Sequence, residues 1–256
     1  MLIVSLTSYP KRMHIIHHVL YSLFNQTLLP DKIILYLSVQ EFPERNSSLP
    51  KTLLCFLKLG LEIKWVEENL RSYKKLIYAL REFPNEILIT ADDDTLYPNT
   101  WLEKLYYAYK QQPSYIHAHR AHRIRFDELT HLLPYKQWTP CISYTQTTPS
   151  FLNFPTTGGG VLYPPKSLHA KVQDVATFME LCPHADDIWF WAMAVLHGSK
   201  INVVQDNFNT FNGFEHSGEP LYKLNYTQNY NDIQLANIFA HFPQLKDKLT
   251  SSLQTL

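Results

Sequence analysis

The chain has 256 residues, 23 Lys and Arg against 23 Asp and Glu, and a formal charge of zero with His neutral. Hydrophobic residues make up 45%, which excludes a disordered chain and is enough for one large domain or two small ones with a real core. Neutrality argues against nucleic acid as a partner, because phosphate contacts need a basic surplus.

Aromatic residues reach 14%, while only 7 residues are glycine and three of these stand together as Gly158, Gly159 and Gly160. Cys55, Cys141 and Cys182 are far apart and lack metal-binding spacing, so they read as reduced thiols of a cytoplasmic protein. The N-terminal MLIVSLTSYPKR lacks the basic and long apolar regions of a signal peptide. The longest apolar run, residues 188–196, falls far short of the roughly 20 residues of a membrane span.

The first hundred residues alternate strand and helix patterns. Residues 2–6 predict a strand that ends in the turn Ser8-Tyr9-Pro10, and 12–24 repeat apolar residues at helical spacing. A second strand follows at 33–37, then a helix at 50–59 with Pro at its start and Gly60 as its stop. Residues 61–66 predict a strand, 72–83 a helix, and 87–90 a fourth strand leading into Asp92-Asp93-Asp94. This series predicts an α/β fold with a mostly parallel sheet covered by helices on both faces. Ligands of such sheets bind beyond the carboxyl ends of the strands, where the acidic triplet falls.

After about residue 113 the alternation stops. Residues 115–126 predict a strand rich in His and Arg, and 129–155 a long loop over the site. Residues 157–163 run from glycines into a strand, 187–197 form a very apolar helix, and 201–204 a further strand. The tail, 231–249, has amphipathic helical spacing and is a candidate for lying on a membrane surface. We divide one domain into a ligand-binding half (1–112), a catalytic half (113–230) and a helical tail (231–256).

Three adjacent carboxylates repel one another unless a cation or solvent relieves them. Asp92, Asp93 and Asp94 therefore suit a hard divalent ion, Mg2+ or Mn2+, the alternative being a solvated acidic turn that caps the helix near Pro98. Asp186 and Asp187 open an apolar helix and serve either as its cap or as a carboxylate of raised pKa, a general base. The glycine run predicts close approach of a ligand or a plain bulge. His216, in a late polar loop, is a candidate to complete a metal site with the carboxylates, which tilts the ion toward Mn2+, or it is simply solvated. His117, His119 and His122 read as a satisfied strand edge. Arg12, Arg71, Lys74 and Lys75 are candidates for phosphate contact or surface charge. Tyr135, Trp138 and Tyr144 suit stacking on sugar faces or loop packing.

ITADDDTLYPNTWL (89–102), GGGVLYPP (158–165), ADDIWFWAM (185–193) and EHSG (215–218) together resemble a nucleotide-sugar-dependent glycosyltransferase with the GT-A fold. The nearest type is bacterial family 2, which builds lipopolysaccharide or capsule sugars. The resemblance implies that Asp92 and Asp94 are the outer members of a DxD motif. Asp94 then lies on the metal and Asp92 near ribose or metal, with Asp93 able to replace either. It implies that Asp187 is the base on the acceptor hydroxyl, with Asp186 where Glu is usual, and that His216 is a third metal ligand. Thr7, Tyr9 and Arg12 match the loop that holds the nucleotide base, with Lys75 at the helix start beside it. Gly159 and Gly160 join the nucleotide-sugar-binding set.

The reaction so implied transfers a sugar from a nucleotide sugar, a UDP-sugar, to a hydroxyl of a glycan or lipid-linked acceptor. One base and one displacement predict inversion. The protein would work in the cytoplasm or on the inner face of the membrane. A metal-dependent phosphohydrolase or nucleotidyltransferase would also use the triplet, and a carbohydrate-binding module would use the aromatics. The first leaves the Asp186-Asp187 helix and the glycine run without a role, and the second would bind its ligand without turnover and unaffected by chelator.

Overall fold

The computed structural model describes residues 1–142, 148–205, 207–208, 212–214, 225 and 227–253. Its centre is a seven-stranded sheet. The first four strands are β1 (Leu2–Thr7), β2 (Lys32–Ser38), β3 (Leu61–Val66) and β4 (Ile87–Thr90). Two further sheet strands are β6 (Ile116–Ala118) and β9 (Val161–Tyr163), and β10 (Ile201–Val203) forms the far edge. The order is β10-β6-β9-β4-β1-β2-β3. Only β9 is antiparallel to its neighbours β4 and β6; every other pairing is parallel. The fold is α/β with a largely parallel sheet, as the alternating pattern predicts.

Residue alternation explains why the strands are apolar on both faces. Ile3, Ile34, Tyr36 and Leu88 face one core, while Leu2, Val4, Leu6, Ile33, Leu35, Leu37 and Ile89 face another. Each face must be covered by helices. The first core packs on Tyr73, Leu76, Ile77 and Ala79 of the α3 region (α3, Lys74–Glu82). The second takes α1 (Ile16–Phe24), the short α2 (Lys51–Leu54) and α4 (Trp101–Gln111).

The expected helix at 50–59 holds one α turn and then a 3-10 turn, Cys55–Leu59. Gly60 stops it at φ +103°, a left-handed position suited to glycine. The expected helix at 12–24 begins as a 3-10 turn, Pro10–Arg12, and becomes α-helical only at Ile16.

Two expected elements are divided. The strand read at 115–126 breaks into β6 and β7 (Ala121–Arg123), and β7 pairs with β8 (Asn153–Pro155) in a separate ribbon. The chain leaves the main sheet there because its partner β9 begins beside the glycine turn. His119 N–H donates to the Gly160 carbonyl, and the next residue is already in the bend. The tail is two helices, α7 (Tyr230–His241) and α8 (Gln244–Leu253), because Pro243 cannot continue the first. Their apolar face is spent on the core: Leu235, Ile238, Phe239, Leu245 and Leu249 are buried with α6 (Asp186–His197). This removes the basis for laying the tail on a membrane surface. Among the described residues no helix is long and apolar enough to cross a membrane.

α6 anchors the second half. It buries Ile188 through Val195, and the indole N–H groups of Trp189 and Trp191 donate to the carbonyls of Val172 and Phe151, each at 2.9 Å. Gly198 (φ +99°) closes its far end. A helix fixed on all sides holds its first turn, Asp186 and Asp187, in one place. Trp138 is also core rather than a stacking platform: it is buried against Tyr135 and Phe154 and donates to the Leu133 carbonyl.

Candidate active site

The carboxyl ends of β1, β4 and β6, the amino end of the antiparallel β9, and the first turns of α3 and α6 meet at one edge of the sheet. A cavity of about 720 Å³ opens there. Thr7, Tyr9, Arg12, Lys75, Asp92, Asp93, Asp94, Gly158, Asp186 and Asp187 all line it. The sequence segments singled out separately are thus brought together by topology.

The turn after β4 is held from beneath. Tyr97 accepts the Asp92 backbone N–H through its hydroxyl at 2.7 Å and packs on Trp101, whose indole donates to the Gly159 carbonyl at 2.8 Å. The three aspartates then point to different partners. Asp93 is buried, accepts from Ser8 Oγ at 2.5 Å and pairs with Arg12 at 2.5 Å. Asp94 lies 2.7 Å from the same guanidinium. Asp92 accepts from Lys75 Nζ at 2.7 Å.

Lys75 is 3% exposed, yet it carries its charge among carboxylates. Its ammonium also donates to Thr157 Oγ1 at 2.8 Å and stands 3.0 Å from Asp186 Oδ2. That Asp186 oxygen is buried and lacks hydrogen-bond geometry to any group among the described residues, whereas Oδ1 accepts from Ser72 at 2.8 Å. Burial would discharge Lys75, but Asp186, Asp92 and Asp187 outweigh it and raise its pKa well above the ordinary value. Asp92 shows the reciprocal effect: burial opposes ionisation, and Lys75 nevertheless holds its carboxyl below the usual range. Burial pushes Asp93 up to about 6 against the pull of Arg12.

Asp187 behaves differently. Burial first, and then the charge of Asp186, push it up to about 7 despite Lys75. Its Oδ1 accepts the Thr157 backbone N–H at 3.1 Å. A half-buried carboxyl of this kind, oriented at the cavity wall, takes up and gives back a proton near neutral pH.

The glycine run departs from its expected role. Gly158 alone lines the cavity, with Asp92 Oδ2 3.6 Å from where its Cβ would be. A Cβ on Gly159 would come within 2.5 Å of Arg120 Cβ, and one on Gly160 (φ +91°) would run into the Trp101 indole. Gly159 and Gly160 are therefore required by internal packing, not by approach to a ligand. The three histidines are satisfied in the core: His117 meets the Gln112 carbonyl and Asn202, His119 meets the Trp101 carbonyl and Asn207, and His122 accepts from Cys141 N–H. Burial lowers all three to about 4.

His216, EHSG and Tyr144 lie outside the described residues. The described chain reaches Phe214, whose N–H donates to the Asp94 carbonyl at 3.0 Å within a ribbon of β5 (Thr95–Leu96) and β11 (Asn212–Gly213). Among the described residues no group of three or more His, Cys, Asp or Glu is placed to hold a metal ion by itself. The triplet's mutual repulsion is already met in part by Arg12 and Lys75. The oxygen-only donor set still fits a hard cation, because four carboxylates (Asp92, Asp93, Asp94 and Asp186) share those two cations, with Asp187 a fifth in the same cavity, and one buried Asp186 oxygen has no hydrogen bond among the described residues.

Several contributors are silent in the sequence. Ser72 orients Asp186, Ser8 orients Asp93, and Glu41 pairs with the buried Lys74 at 2.5 Å. Arg71, expected at a phosphate or as surface charge, instead donates to the Pro183 carbonyl at 3.2 Å and so ties the loop before α6 to the start of α3. Ser72 and Ser8 are small residues beside named candidates, which was the only available signal.

No family model and no curated protein matches the chain. Among solved structures it is similar to S. aureus TarS 1–349, with 16% identity and a TM-score of 0.49, over 80% of this chain and 58% of that one. The same S. aureus fragment in complex with UDP-GlcNAc gives 15% identity and a TM-score of 0.49, over 86% and 59%. The fragment in complex with UDP gives 13% and 0.47, over 80% and 58%. The chain spans less than two thirds of the length of these structures.

Proposed function

We propose that this chain is a GT-A glycosyltransferase that moves a sugar from a nucleotide sugar, a UDP-sugar by preference, to a hydroxyl of a glycan or lipid-linked acceptor. The observation that carries the proposal is Asp187: a carboxyl of pKa about 7, fixed by the Thr157 N–H, in the same cavity as an acidic triplet at the carboxyl edge of a parallel sheet. A phosphohydrolase would use the triplet but gives that carboxyl no task.

In this reading Thr7, Tyr9 and Arg12 receive the nucleoside end, and Asp92 and Asp94 hold Mn2+ or Mg2+, with His216 as a candidate third ligand. The bound ion would supply positive charge to the departing diphosphate. Asp187 accepts the acceptor's hydroxyl proton as that oxygen attacks the anomeric carbon. Asp186, held by Ser72 and Lys75, keeps negative charge beside Asp187 and so maintains its basicity. One base on one face gives inversion at the anomeric carbon. The rigid α6 positions the base, which is where orientation contributes most to rate. We assign the activity to bacterial surface polysaccharide or lipopolysaccharide synthesis, in the cytoplasm at the inner face of the membrane, on the strength of the sequence resemblance.

The test is a set of UDP- and GDP-sugars scored for thermal stabilisation with Mn2+, with Mg2+ and with chelator, followed by turnover with and without a hydroxyl acceptor. Metal-dependent stabilisation by a UDP-sugar, and nucleotide release that acceptor accelerates, is expected. Phosphate release from simple phosphoesters without sugar transfer would replace the proposal with the hydrolase reading.

A further inference from the structure

Five basic side chains line the cavity: Arg12, Arg71, Lys74, Lys75 and Arg120. Three are paired with carboxylates at 3.0 Å or less: Arg12 with Asp93 and Asp94, Lys74 with Glu41, and Lys75 with Asp92 and Asp186. Among the described residues the Arg71 guanidinium meets the Pro183 carbonyl and His184. The Arg120 guanidinium has, among the described residues, one neutral partner, Thr156 Oγ1 at 3.2 Å. A half-buried guanidinium carries five donors, and one hydroxyl leaves most of them unused. Its backbone cannot drift, since Gly159 packs directly on its Cβ.

Position says which ligand meets this cation. Arg120 follows β6, which stands three places from β1 along the sheet, with β9 and β4 between. At about 4.8 Å per strand that is roughly 14 Å from the Thr7–Arg12 side of the cavity. Two residues beyond Arg120, His122 belongs to one cluster of the cavity lining: it accepts from Cys141 N–H and meets Tyr135 edge-on, and Tyr135 meets Phe154. Thr156, the partner of Arg120, immediately precedes Thr157, whose N–H holds Asp187. An anion on Arg120 is therefore seated next to the base and away from the nucleoside end.

We propose that Arg120 is the oxyanion subsite of the acceptor, so that the hydroxyl reaching Asp187 belongs to a molecule carrying a phosphate or carboxylate group. The fork geometry of a guanidinium serves both groups. This rests on the glycosyltransferase reading for the word acceptor, but the anion site itself does not need it.

The test uses protein saturated with UDP and Mn2+, so that the donor side is filled, and three probes of similar skeleton: glycerol 3-phosphate, glycerate and glycerol. Binding is read by calorimetry in the natural chain and in Arg120→Gln, with Arg120→Lys as a second variant that keeps the charge. We expect one charged probe, or both, to bind where glycerol does not; their ranking identifies the group. Arg120→Gln should weaken that binding by about tenfold or more, as loss of a charge-assisted contact does, while UDP binding stays within about twofold. Arg120→Lys should retain part of it. Equal binding of the charged probes in Arg120→Gln overturns the proposal. So does a UDP-uronate that binds more tightly than a UDP-hexose only when Arg120 is present, since that puts the anion on the donor. If UDP fails to bind any form, the glycosyltransferase reading falls, and the Arg120-dependent response to the probes is still read on its own.

Discussion

Lys75 Nζ stands 3.0 Å from Asp186 Oδ2 and so joins the first turn of α3 to the first turn of α6 through one buried ion pair. The same ammonium holds Asp92 at 2.7 Å, so a single cation ties the acidic triplet to the helix that carries the proposed base.

Replacing Lys75 by Met leaves the buried Asp186 and the half-buried Asp92 without their counter-charge, which costs about 3–5 kcal/mol of stability at neutral pH. Without Lys75, which holds the Asp92 carboxyl below its usual range, that carboxyl takes up a proton more readily, so the deficit should shrink as pH falls from about 7 to about 5. Urea denaturation at both pH values measures it. A loss under about 1 kcal/mol at both would mean that the network contributes little to the fold.

Asp187→Asn separates the base from its frame, because the amide oxygen can still accept the Thr157 N–H. Donor binding should survive while transfer falls by about 10²–10⁴. In the natural chain the rate should drop about tenfold per unit below pH 7, since Asp187 must be ionised to act. The stability effect has its own sign. Asp187 titrates at about 7 when folded against an ordinary 3.8, so the folded chain binds the extra proton between those values and stability from this group falls as pH rises through them. Asp187→Asn removes that penalty, and its melting temperature relative to the natural chain should be more favourable at pH 8 than at pH 4. Retained transfer in this variant would move the base elsewhere.

Asp94→Ala tests the ion. Arg12 keeps Asp93 at 2.5 Å, so the turn after β4 should hold its shape. UDP binding in Mn2+ should weaken by tenfold or more, about 1.4 kcal/mol, to the level that chelator gives in the natural chain. An unchanged affinity that still responds to chelator would place the ion on other residues.

Much of the sheet half is legible because its chemistry is local. Strands such as Leu2–Thr7 are apolar on both faces and bounded by turn residues, which only a covered parallel sheet satisfies. The convergence of Asp92–Asp94 with Asp186–Asp187 was legible only as a list of acidic segments. Their contact depends on the order β9-β4-β1, and although a strand is expected at 157–163, its antiparallel place between β4 and β6 is not written in its periodicity. Arg12 and Lys75 were readable as phosphate ligands because a lone cation near a turn looks free. Their carboxylate partners lie far along the chain. The division of 115–126 was hidden for the same reason: the strand stops where its neighbour's glycine turn begins, a fact about another segment.

Gly160 supplies the sharpest contrast between packing and ligand approach. It sits at φ +91°, where a side chain is strained, and its missing Cβ faces the Trp101 indole, which is itself buried and bonded to the Gly159 carbonyl. Trp101 cannot move away without losing that bond and its packing on Tyr97, which supports the Asp92 backbone. Gly160→Ala therefore combines backbone strain with overpacking, each about 1–3 kcal/mol, and should cost roughly 2–6 kcal/mol together. Gly158→Ala meets only Asp92 Oδ2 at 3.6 Å, an ordinary contact at a non-strained position, and should change stability by less than about 1 kcal/mol. Denaturation of the two variants side by side decides the matter. A Gly160→Ala chain as stable as the natural one, with UDP binding lost, would return this glycine to the ligand and take it out of the core.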